Sequence, residues 1–287
     1  MPVTRATSAA GTYATTSALA PATPPRADRS LVAARLLVAG ALVAWGIQHL
    51  LLGDFVSRVF PVPAAGFPLR SILARLAGLL LVATGAAIVA AAPAHPADDP
   101  RRGAALPRIA RLAAHLVAGL AVALVWAVRL PPLVATPRAG LAWTLLGKGI
   151  AIAGTLLLVA ATFGPTRLRA VGRAMLAAFL VLGGVQHFIY PAFVATLVPA
   201  WLPARAAWVH LAGAALVAGG LGLLVPSARR LAARCTSAMI LAWVPLVHLP
   251  RALANPGDAN ETTALFEAIA FAAGAWLARD EGIGARC

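Results

Sequence analysis

Trp45-Gly-Ile-Gln-His-Leu-Leu-Leu-Gly-Asp-Phe55 returns later in the chain as Gly183-Gly-Val-Gln-His-Phe-Ile-Tyr-Pro-Ala-Phe193. Gln48-His49 recurs as Gln186-His187, 187 − 49 = 138 residues on, and Gly46/Gly184, Phe55/Phe193 and Pro61/Pro199 keep that step. A second echo has its own register: Leu130-Pro131 with Leu249-Pro250, Thr144 with Thr263 and Leu146 with Leu265, each 263 − 144 = 119 residues apart. The change of step means that the loops between matched pieces differ in length. A module written twice constrains the fold before any single element is assigned.

Composition makes the module a membrane one. Hydrophobic residues are 61% of the 287 and charged residues 11%, with a mean hydropathy of +0.84, outside the range of soluble domains. Eight apolar runs, near 33–53, 71–92, 109–130, 139–163, 169–190, 205–225, 230–249 and 261–278, are long enough to cross a hydrocarbon core about 30 Å thick, which takes roughly 20 helical residues. The runs are continuous and rich in Ala, Leu and Gly, which argues against strands.

The expected fold is all-α and integral to the membrane: eight transmembrane helices as two parallel-repeat four-helix bundles. Repeat 1 spans 31–164 and repeat 2 spans 165–281, between a disordered cytoplasmic tail (1–30) and a short C-terminal tail (282–287). An even number of helices per repeat makes both copies enter from the same side.

A net charge of +15 invites a nucleic-acid reading. The arginines decide otherwise. Arg5, Arg101, Arg102, Arg167, Arg229 and Arg279 share the N-terminal side with most of the others, while Arg58, Arg70, Arg129, Arg138, Arg205 and Arg251 lie opposite. That bias puts both termini in the cytoplasm of a multi-pass cell-membrane protein and leaves no nucleic-acid partner to explain. Cys235 and Cys287 form no Cys-x-x-Cys pair, which excludes membrane thiol oxidation.

Polar residues inside the spans are the candidates for function. Glu267 is the one acid expected within a span, and Lys148 is the chain's only lysine. They are 267 − 148 = 119 apart, the same place in helix four of each repeat. An ionised group at mid-span costs roughly 2.5–3.5 kcal/mol on insertion scales. Three arrangements are open. Glu267 could face its own bundle and meet His187 and His248; Lys148 and Glu267 could pair across the pseudo-twofold axis; or Glu267 could sit protonated while Lys148 snorkels to the interface. The first is the expectation for Glu267, and the other two stay open for Lys148.

Gln186, His187, His248, Arg251 and Glu267 are all assigned to the outer half of repeat 2, a convergence that reads as a ligand pocket. The repeat-1 counterparts are Gln48, His49, Arg129 and Lys148. His187 and His248 could flank a haem, or bind a metal with Glu267, but no second motif supports either, and no metal is assigned. His115 and His210 read as structural. Pro245 is expected to kink helix seven.

Gly184-Val-Gln-His-Phe188, Phe193 with Val198-Pro-Ala-Trp-Leu-Pro203, Gly213, His248-Leu-Pro-Arg251 and Leu265-Phe-Glu267 together resemble the DoxX-like membrane proteins. The likeness covers roughly 170–280 well and 35–160 more loosely, as for a tandem fusion. It implies a four-helix membrane unit and, from the family's named representative, a subunit linked to thiosulfate:quinone oxidoreduction. Two departures stand out: Ala214 and Ala215 follow Gly213 where relatives often carry glutamate, and Lys148 replaces the acid in repeat 1.

The function expected from these residues is binding of a quinone or another small lipophilic molecule, with His187 and Glu267 at its polar end. No electron donor site is encoded, so an enzyme would need a soluble or membrane redox partner subunit besides the lipid bilayer. The alternative is a small-solute transporter or a non-catalytic membrane scaffold.

Overall fold

The computed structural model describes residues 29–56, 66–92, 105–164 and 167–279. The two expected tails lie almost wholly outside them, as do Arg58 and Pro61. Eight long helices carry the fold: α1 (Arg29–Leu52), α2 (Arg70–Ala91), α3 (Ala105–Ala135), α4 (Gly140–Ala160), α5 (Leu168–Ile189), α6 (Arg205–Leu224), α7 (Arg229–Ala254) and α8 (Ala259–Leu277). No strand occurs among the described residues.

Seven of the helices, α1 to α7, are long and apolar enough to cross a membrane. α8 falls short because Asn260, Glu261 and Glu267 interrupt a run of only 19 residues. Protein shelters it instead: Phe271, Ala272, Ala273 and Leu277 are all buried.

Small residues set the helix spacing. A Cβ on Gly46 would stand 2.6 Å from the carbonyl oxygen of Gly78, so α1 and α2 touch backbone to backbone there. Gly184 repeats the contact, 2.6 Å from the Gly213 oxygen, between α5 and α6. Apolar side chains give no hydrophobic drive inside lipid, so such close approach is what lets dispersion hold helices together.

Neighbours run in a closed circuit: each helix packs on the next in the chain, and α8 returns to α1. α4 and α8 also touch across the middle. The circuit differs from the expectation of two self-contained bundles. α1 packs on α8 rather than on α4, and α5 packs on α4, so the first helix of each half leans on the last helix of the other. Sequence patterning names the apolar helices but not which of two equivalent helices each will choose.

α3 and α7 each contain one wide turn, Val125–Arg129 and Val244–His248, in which the amide of Leu130 bonds Val125 O and that of Leu249 bonds Val244 O. Pro131 and Pro250 follow at once. A proline lacks the N–H and its ring crowds the carbonyl four residues back, and widening the turn relieves both problems. Pro245 therefore does mark a distortion of helix seven, but the same distortion occurs in α3, where Trp126 holds the matching place. The shared proline after the turn is the better cause.

Candidate functional site

Gln48 and Gln186 build the seams between the halves. The Gln186 amide donates to Gly140 O at 2.9 Å and its oxygen accepts from the Thr144 hydroxyl at 2.8 Å. Gln48 does the same on the other side, donating to Ala259 O at 3.2 Å and accepting from Thr263 at 2.9 Å. Each glutamine thus ties helix one of its own half to the start of helix four of the other. Both Gly140 and Ala259 begin their helices.

The histidines next in sequence go elsewhere. His49 Nδ1 lies 2.6 Å from Trp45 O and His187 Nδ1 lies 2.7 Å from Gly183 O, each four residues back on its own helix. Their Cβ atoms rest over Gly78 and Gly213. Adjacent residues on a helix point about 100° apart. With glutamine facing the opposite half, histidine must face α2 or α6.

The expectation that Glu267 meets His187 and His248 is corrected here. Glu267 Oε2 is bonded to Lys148 Nζ, in the interior where α4 and α8 cross. Only 3% of the Glu267 side chain and 17% of the Lys148 side chain are exposed. Each residue stands eight positions into its helix, about 12 Å at 1.5 Å per residue, so the charges meet at equal depth. Glu267 Oε1 is buried and has no hydrogen-bond partner among the described residues. Beside this seam a hollow of about 10 Å³ is lined by Val38, Trp45, Ile152, Thr155 and Ala270, room for about one water and no organic ligand.

Arg251 bonds a different carboxylate. Its guanidinium forks onto Glu261, Nη2 to Oε1 at 2.7 Å and Nε to Oε2 at 3.0 Å. Glu261 sits in the first turn of α8, with only 9% of its side chain exposed, behind the capping bond of Asp258 to the Asn260 amide. His248, half-buried on the wide turn of α7, stands one turn before Arg251. The matching corner of the first half holds Arg129 beside Pro132, Ala139, Leu141, Ala142 and Leu145, around an open pocket of about 230 Å³.

Sequence reading passed over two residues that matter. Glu261 is not among the candidates named from the sequence, yet it satisfies Arg251. Arg35, on the arginine-rich N-terminal side of the expected topology, is fully buried. It donates to Ala92 O at 2.7 Å and to Thr162 Oγ1 at 2.9 Å, and lies over the Phe163 ring at 4.3 Å. It so ties together the ends of α2 and α4, where the helix dipoles favour a cation. Its match in the 138 step is Arg173, also buried, and that pairing was a signal available in the sequence. Among the described residues no three of His, Cys, Asp and Glu gather as metal ligands.

Fold and site together define an all-helical protein with seven helices able to cross a membrane and an interior closed by paired polar ties. A family model described as a domain of unknown function (DUF8561) matches residues 176–270, from within α5 to within α8. No curated protein and no solved structure matches the chain.

Proposed function

We propose that the chain is an integral membrane protein made of two like-oriented four-helix units derived from one duplicated module, and that it serves as a non-catalytic membrane scaffold. All eight helices lie in the bilayer, α8 enclosed by the others, and both termini are cytoplasmic. The observation that carries this reading is the use made of the polar interior. Gln48, Gln186, Lys148, Glu267, Arg251, Glu261 and Arg35 are each engaged in tying helices together. The matched Gln–Thr ties, at steps of 138 and 119, support the duplication and the shared orientation. The DoxX-like resemblance supports the four-helix unit.

A quinone-binding redox subunit would need His187 and Glu267 on one ligand, whereas these side chains serve different seams. Reporter fusions in the loops after α1, α2, α4 and α5 test the architecture, with alternation and cytoplasmic termini expected; opposite orientations of the two halves would sink it. Titration of the purified protein with a quinol tests the activity. No thermal shift is expected, and a shift abolished by Glu267→Gln and His187→Ala would return the redox reading.

A further inference from the structure

We propose that the exposed face of α7 at Arg230 and Arg234 binds an anionic phospholipid of the cytoplasmic leaflet. The inference rests on the membrane reading and orientation given above. The first two turns of α7 carry three arginines, and the first of them is spent on protein. Arg229 donates to Leu223 O at 2.9 Å and to Leu224 O at 3.3 Å, the last carbonyls of α6. Arg230 and Arg234 stand four residues apart, one above the other on a single face. Both are exposed, and neither meets a carboxylate among the described residues.

The 119-residue step puts Arg111 and His115 at these places on α3, and both are half-buried. Arg111 leans on protein: a Cβ on Gly164 would stand 2.6 Å from its Nη1. The second half thus presents outward a pair of positions that the first half keeps against its own chain. α7 is also the least enclosed of the seven apolar helices.

In a bilayer that face is turned to lipid. Ala238 and Leu241 continue it deeper along α7, both exposed, and Leu231 beside Arg230 is 68% exposed. Arg234 stands five residues beyond Arg229, about 7.5 Å along the helix at 1.5 Å per residue. A guanidinium held among apolar side chains is costly alone, and its methylenes let it rise toward the phosphates. The described acids offer it nothing: Asp54, Asp258 and Glu261 lie at the opposite helix ends, and Glu267 lies at mid-helix. A lipid with a net negative headgroup brings phosphodiester oxygens to both guanidiniums and acyl chains to Ala238 and Leu241. A free anion brings only the first.

The test uses the full chain purified in a non-ionic detergent and titrated with dioleoyl phosphatidylglycerol or dioleoyl phosphatidylcholine, with thermal stability as the readout. At about fivefold for each arginine near the surface, the wild type is expected to prefer phosphatidylglycerol by about 25-fold in apparent Kd. Arg230→Gln and Arg234→Gln are each expected to lose about fivefold of that preference. The double variant should lose all of it and keep the phosphatidylcholine response. Arg108→Gln, at an exposed arginine of the same end on α3, is expected to keep the preference. Equal responses to the two lipids in the wild type, a preference surviving the double variant, or an equal loss in Arg108→Gln overturns the proposal. So does the same arginine-dependent shift produced by inorganic phosphate alone. A preference that arises only after removal of residues 280–287 also overturns it, because the chain's own Asp280 and Glu281 would then be the occupant. Release of the chain from membranes by alkaline carbonate would instead overturn the membrane reading itself.

Discussion

The two halves make the same ties and fill their corners differently. Gln48 with Thr263 and Gln186 with Thr144 are near copies, as are the Gly46–Gly78 and Gly184–Gly213 contacts. By contrast, Lys148 stands where the second half has Glu267, and Ala142 stands where it has Glu261. The difference teaches which positions of the echoed sequence stay alike and which do not. A residue tied to the other half must suit a matching partner, so the ties stay alike. Lys148 and Glu267, which share a place in the 119 step, meet each other, so one can be the cation and the other the anion. A residue at the rim answers only to its surroundings, and there one corner carries carboxylates while the other has alanines beside an open pocket.

The sharpest way to break the comparison is at the Lys148–Glu267 pair. Lys148→Met leaves the Glu267 carboxylate buried alone and is expected to cost about 3–5 kcal/mol of stability, measured by thermal unfolding in detergent. Lys148→Met with Glu267→Met should recover most of that, because removing both charges removes the desolvation penalty. The exchange Lys148→Glu with Glu267→Lys should recover it as well if the two sites are equivalent. An exchange as damaging as the single change would show that they are not.

The glycine contacts come next. Gly46→Val and Gly184→Val each drive a side chain into the facing helix, and each is expected to cost about 1–3 kcal/mol. Near-equal losses support two halves packed alike; a loss confined to one half breaks the likeness. The polar ties are a finer probe. Gln48→Ala and Gln186→Ala should each cost about 1 kcal/mol, and the double variant should show the sum, since the two seams share no partner.

The smallest effect is one of pH at the exposed Asp54–Arg70 pair. The Arg70 guanidinium, hydrogen-bonded at 2.6 Å, holds the Asp54 carboxyl below the usual carboxylate range. A depressed carboxylate contributes stability above its unfolded pKa and loses it as pH falls through the folded value. A slight decline is therefore expected below about pH 4, and Asp54→Asn should remove that decline. The second half has Ala192 at this place in the 138 step, so this pair has no copy there. Exposure of the pair keeps the effect small.

Much of the fold was legible in the residues. Continuous apolar runs marked all eight long helices within a few residues, and Gln48 and Gln186 of the Gln-His echo make matching bonds. The candidate pocket was less legible. Gln186 and His187 were grouped because they are neighbours in sequence, yet neighbours on a helix face different ways. Glu267 was assigned to its own half because nothing in a repeat says whether contacts close within a copy or between copies. Glu261 was not among the named candidates, although helix ends are where a first-turn carboxylate finds an arginine from the preceding helix.

The amino-acid sequence by itself determined that this chain is apolar, helical and marked by an internal echo, because those properties are sums over local residues and their spacing. Only tertiary structure decided that helix one of each half leans on helix four of the other, that Lys148 and Glu267 meet, and that one rim corner carries a bonded carboxylate while its twin borders an open pocket. Two matched helices offer identical local signals, so the choice between them is made by packing the whole circuit, and by the cost of leaving either charge alone in the interior.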